Sequence, residues 1–160
     1  MAKPSCSRAD ARALSFADQS ADVVLFLGPL YHLCEKSDRE KALGEAWRVL
    51  KPRGRLVLSD ILFKSEAIEG VSPYLTADNH VKDLSEYETL YRKVGFKGIE
   101  LIDATEECWK QFDRHYRSFL RAKFLTAGID RRTLNRTRFS LFASDAAINF
   151  YLLVSAQKPG

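Results

Sequence analysis

Residues 22–60, DVVLFLGPLYHLCEKSDREKALGEAWRVLKPRGRLVLSD, decide the fold. Val23 to Leu27 is an unbroken apolar run, the pattern of a strand buried on both faces of a parallel sheet. Gly28 and Pro29 end it. Ser37 followed by Glu40 predicts a capping box, in which hydroxyl and carboxylate each satisfy one orphan N–H at a helix start. The helix then runs to about Leu50, with Leu43, Ala46, Trp47 and Leu50 at helical spacing. Pro52 and Gly54 close it, and Leu56 to Leu58 opens a second buried strand. Strand, helix and strand make a βαβ unit, for which parallel strands and a right-handed crossover are expected.

On the amino-terminal side, residues 1–9 read as a frayed end and Asp10 to Asp18 as a loop. On the other side, Asp60 closes the second strand and Ile61 to His80 is a long excursion broken by Gly70 and Pro73. Ser85 with Glu88 predicts another capping box. Tyr87, Leu90, Tyr91 and Val94 form a helical stripe that Gly95 stops. Ile99 and Leu101 fit a third strand. Glu106 to about Ala127 reads as one long helix, with Trp109, Phe112, Tyr116, Phe119, Leu120 and Phe124 on one face. Arg131 to Asn135 is a turn or short helix, Ile148 to Ala156 a last strand, and Lys158 to Gly160 a trailing end. The order predicts one α/β domain over 1–160. Its sheet is mostly parallel with an antiparallel last strand forming a reversed edge region, and a helical insertion over 106–147 precedes that strand.

The bulk properties bound the class. A chain of 160 residues, 46% hydrophobic and 29% charged, is long and apolar enough for one packed core. A net charge of +4 permits an anionic partner without requiring one. No apolar run approaches the roughly 18 residues that span a bilayer, so no membrane association is expected. The first residues lack the apolar core of a signal peptide. Cys6, Cys34 and Cys108 are odd in number and widely spaced, which argues for free thiols in the cytoplasm and against a disulfide framework or a metal site.

The stretch from Asp10 through "DARALSFADQSADVVLFLGPLYHL" to "EAWRVLKPRGRLVLSD" resembles the class I S-adenosylmethionine-dependent methyltransferases, Rossmann-like enzymes. The resemblance implies methyl transfer from S-adenosylmethionine to a small-molecule amine or hydroxyl. It implies that Asp10 accepts a hydrogen bond from the adenine amino group and that the Ala11 N–H faces an adenine ring nitrogen. The main chain at Leu27 and Gly28 lies against the methionine part, and His32 lies close to the methyl-transfer site. Ser15, Ala21 and Arg53 depart from the family pattern, Arg53 standing where the first glycine of a turn is common. The family's glycine-rich GxGxG loop and the acidic residue ending its second strand have no counterpart in the sequence. The resemblance therefore implies an N-terminally truncated sheet lacking its first β-α-β-α, an exposed edge at the first strand, and weak cofactor binding by this chain alone. A second chain or a homo-oligomer covering that edge is the expected partner. The insertion loosely resembles that of sarcosine and dimethylglycine methyltransferases.

Each candidate site residue has two readings. His32 is a base or orienting group, or a loop histidine that shapes the pocket. Asp10 is an adenine ligand or an Asx turn. Tyr31 and His80 line the acceptor site, or merely pack. Trp109 and Tyr116 belong to an aromatic lid that could hold a cationic acceptor, or to a plain core stripe. Lys110, Arg114, Arg117 and Arg121 share a helix face, which is a solvated surface or an attraction for RNA. No RNA-binding motif supports nucleic acid, so RNA methylation ranks below two other readings: small-molecule methyl transfer, and a non-catalytic methyltransferase-like module that pairs with another chain.

Overall fold

The computed structural model describes residues 6, 8–64 and 83–160; most of the 61–80 excursion, His80 included, lies outside them. The elements are β1 (Ala21–Leu27), α1 (Lys36–Val49), β2 (Leu50–Phe63), α2 (Leu84–Val94), β3 (Lys97–Asp103), α3 (Gln111–Leu125), α4 (Arg131–Ala147) and β4 (Ile148–Gln157). The four strands form one sheet in the order β1-β2-β4-β3. β1 and β2 run parallel, from Val23 opposite Arg55 to Leu27 opposite Ser59, so the βαβ unit forms as expected. β4 is antiparallel to both β2 and β3. The reversed strand therefore lies inside the described sheet and not in an edge region.

β1 is a sheet edge and is buried on one face only, contrary to the double burial its sequence suggests. Phe26 is buried, whereas Val23, Leu25 and Leu27 are 53%, 62% and 81% exposed. Alternate residues of a strand point to opposite faces, so these three share the open one. Val57, Leu153 and Ile102, in register across the other strands, are exposed as well. The core lies on the opposite face, where Leu43 and Ala46 of α1 and Tyr87 and Tyr91 of α2 pack against Leu56, Leu58, Leu152 and Val154.

Local chemistry explains the element boundaries. α1 starts at Lys36 with Glu35 at its N-cap and no side-chain cap, so Ser37 lies inside the helix and forms no capping box. α2 is capped by Asp83, which accepts from the Glu86 N–H at 2.9 Å, and not by Ser85, whose hydroxyl donates to that same carboxylate. A carboxylate two residues upstream is the stronger acceptor for the orphan N–H. The turn at Lys51–Gly54 interrupts the β1–β2 register between Leu50 and Arg55. A Cβ at Gly54 would meet Lys51 O at 2.8 Å, so the turn requires glycine there. Arg53 takes a φ of 64°, the left-handed region that the usual glycine would enter without strain.

The helical insertion departs most from expectation. A π-helical turn over Thr105–Lys110 precedes α3, and α4 is a full helix of 17 residues where the sequence suggests a turn or short helix over Arg131 to Asn135. Leu120, Leu134 and Leu141 join α3 to α4. Nor does the carboxyl end trail off. Lys158 is buried, and its ammonium donates to Trp47 O at 2.8 Å and Leu50 O at 2.7 Å, over the Trp47 ring. A cation there satisfies the last carbonyls of α1 and complements its dipole.

Candidate active site at the carboxyl end of β1

The chain leaves β1 through Gly28, which has φ 82° and donates its N–H to Ser59 O at 3.0 Å. A Cβ at Gly28 would come within 2.8 Å of the Tyr31 ring, so both space and backbone demand glycine. A 3₁₀ turn follows over Leu30–His32, anchored by fully buried Leu30. Two side chains fix it from outside. Asp60 of β2 accepts the Tyr31 N–H at 3.0 Å, and the buried guanidinium of Arg39 donates to Leu33 O at 2.8 Å and Cys34 O at 2.9 Å. Tyr31 and His32 are thus presented at the strand ends by contacts to β2 and α1.

Asp60 is buried and also accepts a short hydrogen bond from the Tyr87 hydroxyl of α2. Burial pushes its carboxyl up to about 6, against the opposing pull of the bonds from Tyr87, Ile61 N–H and Tyr31 N–H and of the nearby Arg39 charge. The same desolvation, with Asp60 beside it, raises the Tyr87 phenol well above its ordinary range. A cavity of about 380 Å³ opens here, lined by Leu27, Gly28, Tyr31, Asp60, Ile61 and Tyr151 among others. It holds a carboxylate and two tyrosines.

A second cavity, about 660 Å³, lies on the other side of the turn and is lined by Arg8, Ala9, Asp10, Ala11, Pro29, His32 and Leu33. The structure therefore brings His32 together with Asp10 and Ala11, while Tyr31, Leu27 and Gly28 line the smaller cavity. The rings of His32 and Tyr31 lie 4.0 Å apart. The Asp10 carboxylate is exposed and gripped by Arg12, through Nη2 at 2.7 Å, the backbone N–H at 2.9 Å and Nε at 3.0 Å. That grip holds the Asp10 carboxyl down to about 2. Arg12 also reaches Asp38 at 2.6 Å, tying the loop to α1. Glu45 accepts the Leu14 N–H, and Arg48 donates to Leu14 O and Phe16 O, fixing the rest of the 10–18 loop.

The insertion contributes unequally. Trp109 packs with Tyr31 and Ile61 against Phe63, Ala147 and Ile148, and its indole N–H donates to Asp145 at 3.2 Å. Tyr116 packs instead on the α3–α4 cluster. The aromatic face of α3 is not a core stripe: of its residues only Leu120 is buried, and Phe112 and Phe119 are 51% and 52% exposed. Of the basic side chains on one face of this segment, three are paired: Lys110 with Asp145, Arg114 with Glu106 and Arg117 with Asp113. Among the described residues no group of histidine, cysteine or acidic side chains could hold a metal ion, and no helix is long and apolar enough to cross a membrane.

Tyr87, Arg39 and Tyr151 are the parts of the site that sequence reading passes over. An acid closing the apolar run LVLSD is a visible signal for Asp60. Nothing in the sequence pairs it with Tyr87.

The mixed sheet has a ligand-sized opening at the carboxyl end of a parallel strand pair, flanked by an acidic loop and a glycine exit, and its fold is similar to that of S-adenosylmethionine-dependent methyltransferases among solved structures. Residues 2–58 match the model of the methyltransferase domain family. The chain is 31% identical over 106 residues to methyltransferase GfsG of Streptomyces halstedii, covering 62% of this chain and 37% of that protein. It is 28% identical to the 27-O-demethylrifamycin SV methyltransferase of Amycolatopsis mediterranei, covering 94% of this chain and 57% of that protein. Among solved structures, phosphoethanolamine N-methyltransferase 2 of Haemonchus contortus, in complex with S-adenosyl-L-methionine, superposes with a TM-score of 0.73 at 20% identity, over 94% of this chain and 36% of that one. The chain thus spans between about a third and somewhat over half of the length of these proteins.

Proposed function

We propose that this chain carries the adenine side and the methyl-transfer edge of an S-adenosylmethionine-dependent methyltransferase acting on a small-molecule amine or hydroxyl. The observation that carries the reading is the pair of cavities separated by the Gly28–Leu33 turn, one reached by Asp10 and Ala11 and the other floored by Asp60.

The residues present fit the adenine and methionine ends of the cofactor. The larger cavity offers apolar walls from Pro29 and Leu33 and an exposed carboxylate at Asp10, which Arg12 engages on both oxygens and would share with the adenine amino group. Ala11 supplies a backbone N–H beside it, and Gly28 leaves the strand end open for close approach. When bound, S-adenosylmethionine supplies an electrophilic methyl group on a sulfonium. The chain's own residues then hold the acceptor and take its proton. The acceptor enters the smaller cavity among Tyr31 and Tyr151, and the 106–147 insertion closes over it as a lid through Trp109, with Tyr116 farther out. Asp60 attracts an amine or accepts a hydrogen bond from a hydroxyl. His32, at the turn between the cavities, acts as base or orienting group. Alignment is the larger contribution, since the leaving group is already charged. Cys6, Cys34 and Cys108 form no disulfide among the described residues, which accords with a cytoplasmic setting.

Calorimetric titration with S-adenosylhomocysteine tests this. Saturable binding is expected, weakened about fivefold or more by Asp10→Ala, the scale of one partly exposed charge-assisted hydrogen bond. Absence of saturable heat from a folded chain sinks the catalytic reading for this chain. It favours the second reading, a module whose open sheet face and β1 edge are covered by another chain.

A further inference from the structure

Tyr87 lies in α2 with its ring buried in the core against Tyr91, the two centroids 5.2 Å apart and the rings edge to face. Apolar packing accounts for the ring. It does not account for the hydroxyl, which donates across the core to Asp60 Oδ2. Asp60 Oδ1 accepts the Tyr31 N–H at 3.0 Å. A single carboxylate thus joins α2 to the turn after β1. Its other neighbours are the Ile61 N–H of its own strand, the buried Arg39 charge of α1 and the Tyr91 phenol beside Tyr87, and Tyr151 of β4 lines the cavity with it. Burial pushes the Tyr87 and Tyr91 phenols well above their ordinary range, so both stay protonated at neutral pH.

We propose that Tyr87 is a positioning residue for the site, acting through Asp60: its hydroxyl pins one carboxylate oxygen in the core, so that the other stays on the Tyr31 N–H and the group keeps its charge at the cavity. The role rests on the methyl-transfer reading, in which Asp60 receives the acceptor's amine or hydroxyl. A buried carboxylate without donors takes up a proton instead of keeping its charge. Of the contacts that oppose the effect of burial on Asp60, the Tyr87 hydrogen bond is the strongest. Arg39 supports the same arrangement from α1: it donates to Leu33 O at 2.8 Å and Cys34 O at 2.9 Å, and its charge favours the ionised carboxylate. A phenylalanine would fill the same space without desolvating a hydroxyl, and the bond to Asp60 is what offsets that cost. The Tyr91 hydroxyl is the internal control, since it is buried on the same helix and makes no hydrogen bond.

The test compares Tyr87→Phe and Tyr91→Phe, which keep their rings and lose only a hydroxyl, with the unsubstituted chain. The Asp60 carboxyl carbon is followed by 13C NMR titration, its resonance assigned by its loss in Asp60→Asn. The midpoint lies at about 6 in the unsubstituted chain. In Tyr87→Phe it is expected about one pH unit or more higher, the scale of one hydrogen bond to a charged group. The Tyr31 amide resonance should move in the same variant at pH 7.5. Tyr91→Phe should change both readings far less. An Asp60 midpoint unchanged in Tyr87→Phe, an unmoved Tyr31 amide, or equal changes in Tyr91→Phe overturns the proposal, the last because it would assign the effect to core packing. Titration of the unsubstituted chain with S-adenosylhomocysteine is a separate measurement. Absence of binding there counts against the methyl-transfer reading alone, and the hold of Tyr87 on Asp60 and the turn is decided by the NMR results.

Discussion

Asp60 is where residue-level chemistry bears most weight. Its carboxyl, ordinarily near 3.8, is pushed to about 6 by burial. A raised acid pKa means that the folded state binds more protons than the unfolded chain between these two values. Stability is then highest below pH 4 as far as this group is concerned, and falls as pH rises towards and through 6. The shift corresponds to a cost on the order of 3 kcal/mol at neutral pH. Denaturant unfolding at pH 4.5 and pH 7.5 should therefore show a drop across this window that Asp60→Asn largely removes. An identical pH dependence in the variant would show that the carboxylate is not the buried charge described. Asp10, Ala11, Gly28 and His32 are legible in the sequence as candidates because they sit in a contiguous, recognisable stretch. It does not reveal the character of Asp60, because that depends on Tyr87, 27 residues away on another helix, and on a turn held by Arg39. Arg53 is legible in advance as a departure from the glycine usual at such a turn, and its positive φ shows what the departure entails.

At the scale of elements, strongly patterned segments are readable and weakly patterned ones are not. β1, α1, α2, β3 and β4 carry dense apolar runs or stripes, and their placement follows from them. The cap assignments fail because a Ser-x-x-Glu spacing recurs within helices, and an upstream Asp83 outcompetes Ser85. α4 escapes recognition because RRTLNRTRFSLFASDAA buries only Leu134, Leu141 and Ala147, with Phe139 and Phe142 outside that stripe. Its helicity comes from the Asp130 cap, which accepts from the Thr133 N–H, and from packing on α3. For the aromatic residues of α3 the helical spacing is correct, but spacing alone cannot tell a face turned to the core from one turned outward.

Among the described residues, the sheet carries α1 and α2 on one face and exposed apolar side chains on the other. Leu25 pairs with Val57, and Leu153 with Ile102, across that surface. Exposed apolar area of this kind, ending at a strand with no further partner among the described residues, marks an interaction surface. The sequence anticipated the edge at β1; it did not anticipate the open face, because strand order and the inward position of β4 are set by long-range pairing. A second copy of the chain is the expected occupant of such an exposed apolar edge. Sedimentation should show concentration-dependent association that Leu25→Lys diminishes, and a strictly monomeric chain at all concentrations would argue against a second copy.

The central claim is that the cofactor's adenine and methionine ends meet the turn after β1. Amide chemical-shift mapping on addition of S-adenosylhomocysteine tests it most directly. The expected result is saturable perturbation concentrated at Asp10, Ala11 and Gly28 through Leu33, excepting Pro29, with little change in α4. Perturbations absent altogether, or centred on α3 and α4 with the β1 turn silent, would contradict it.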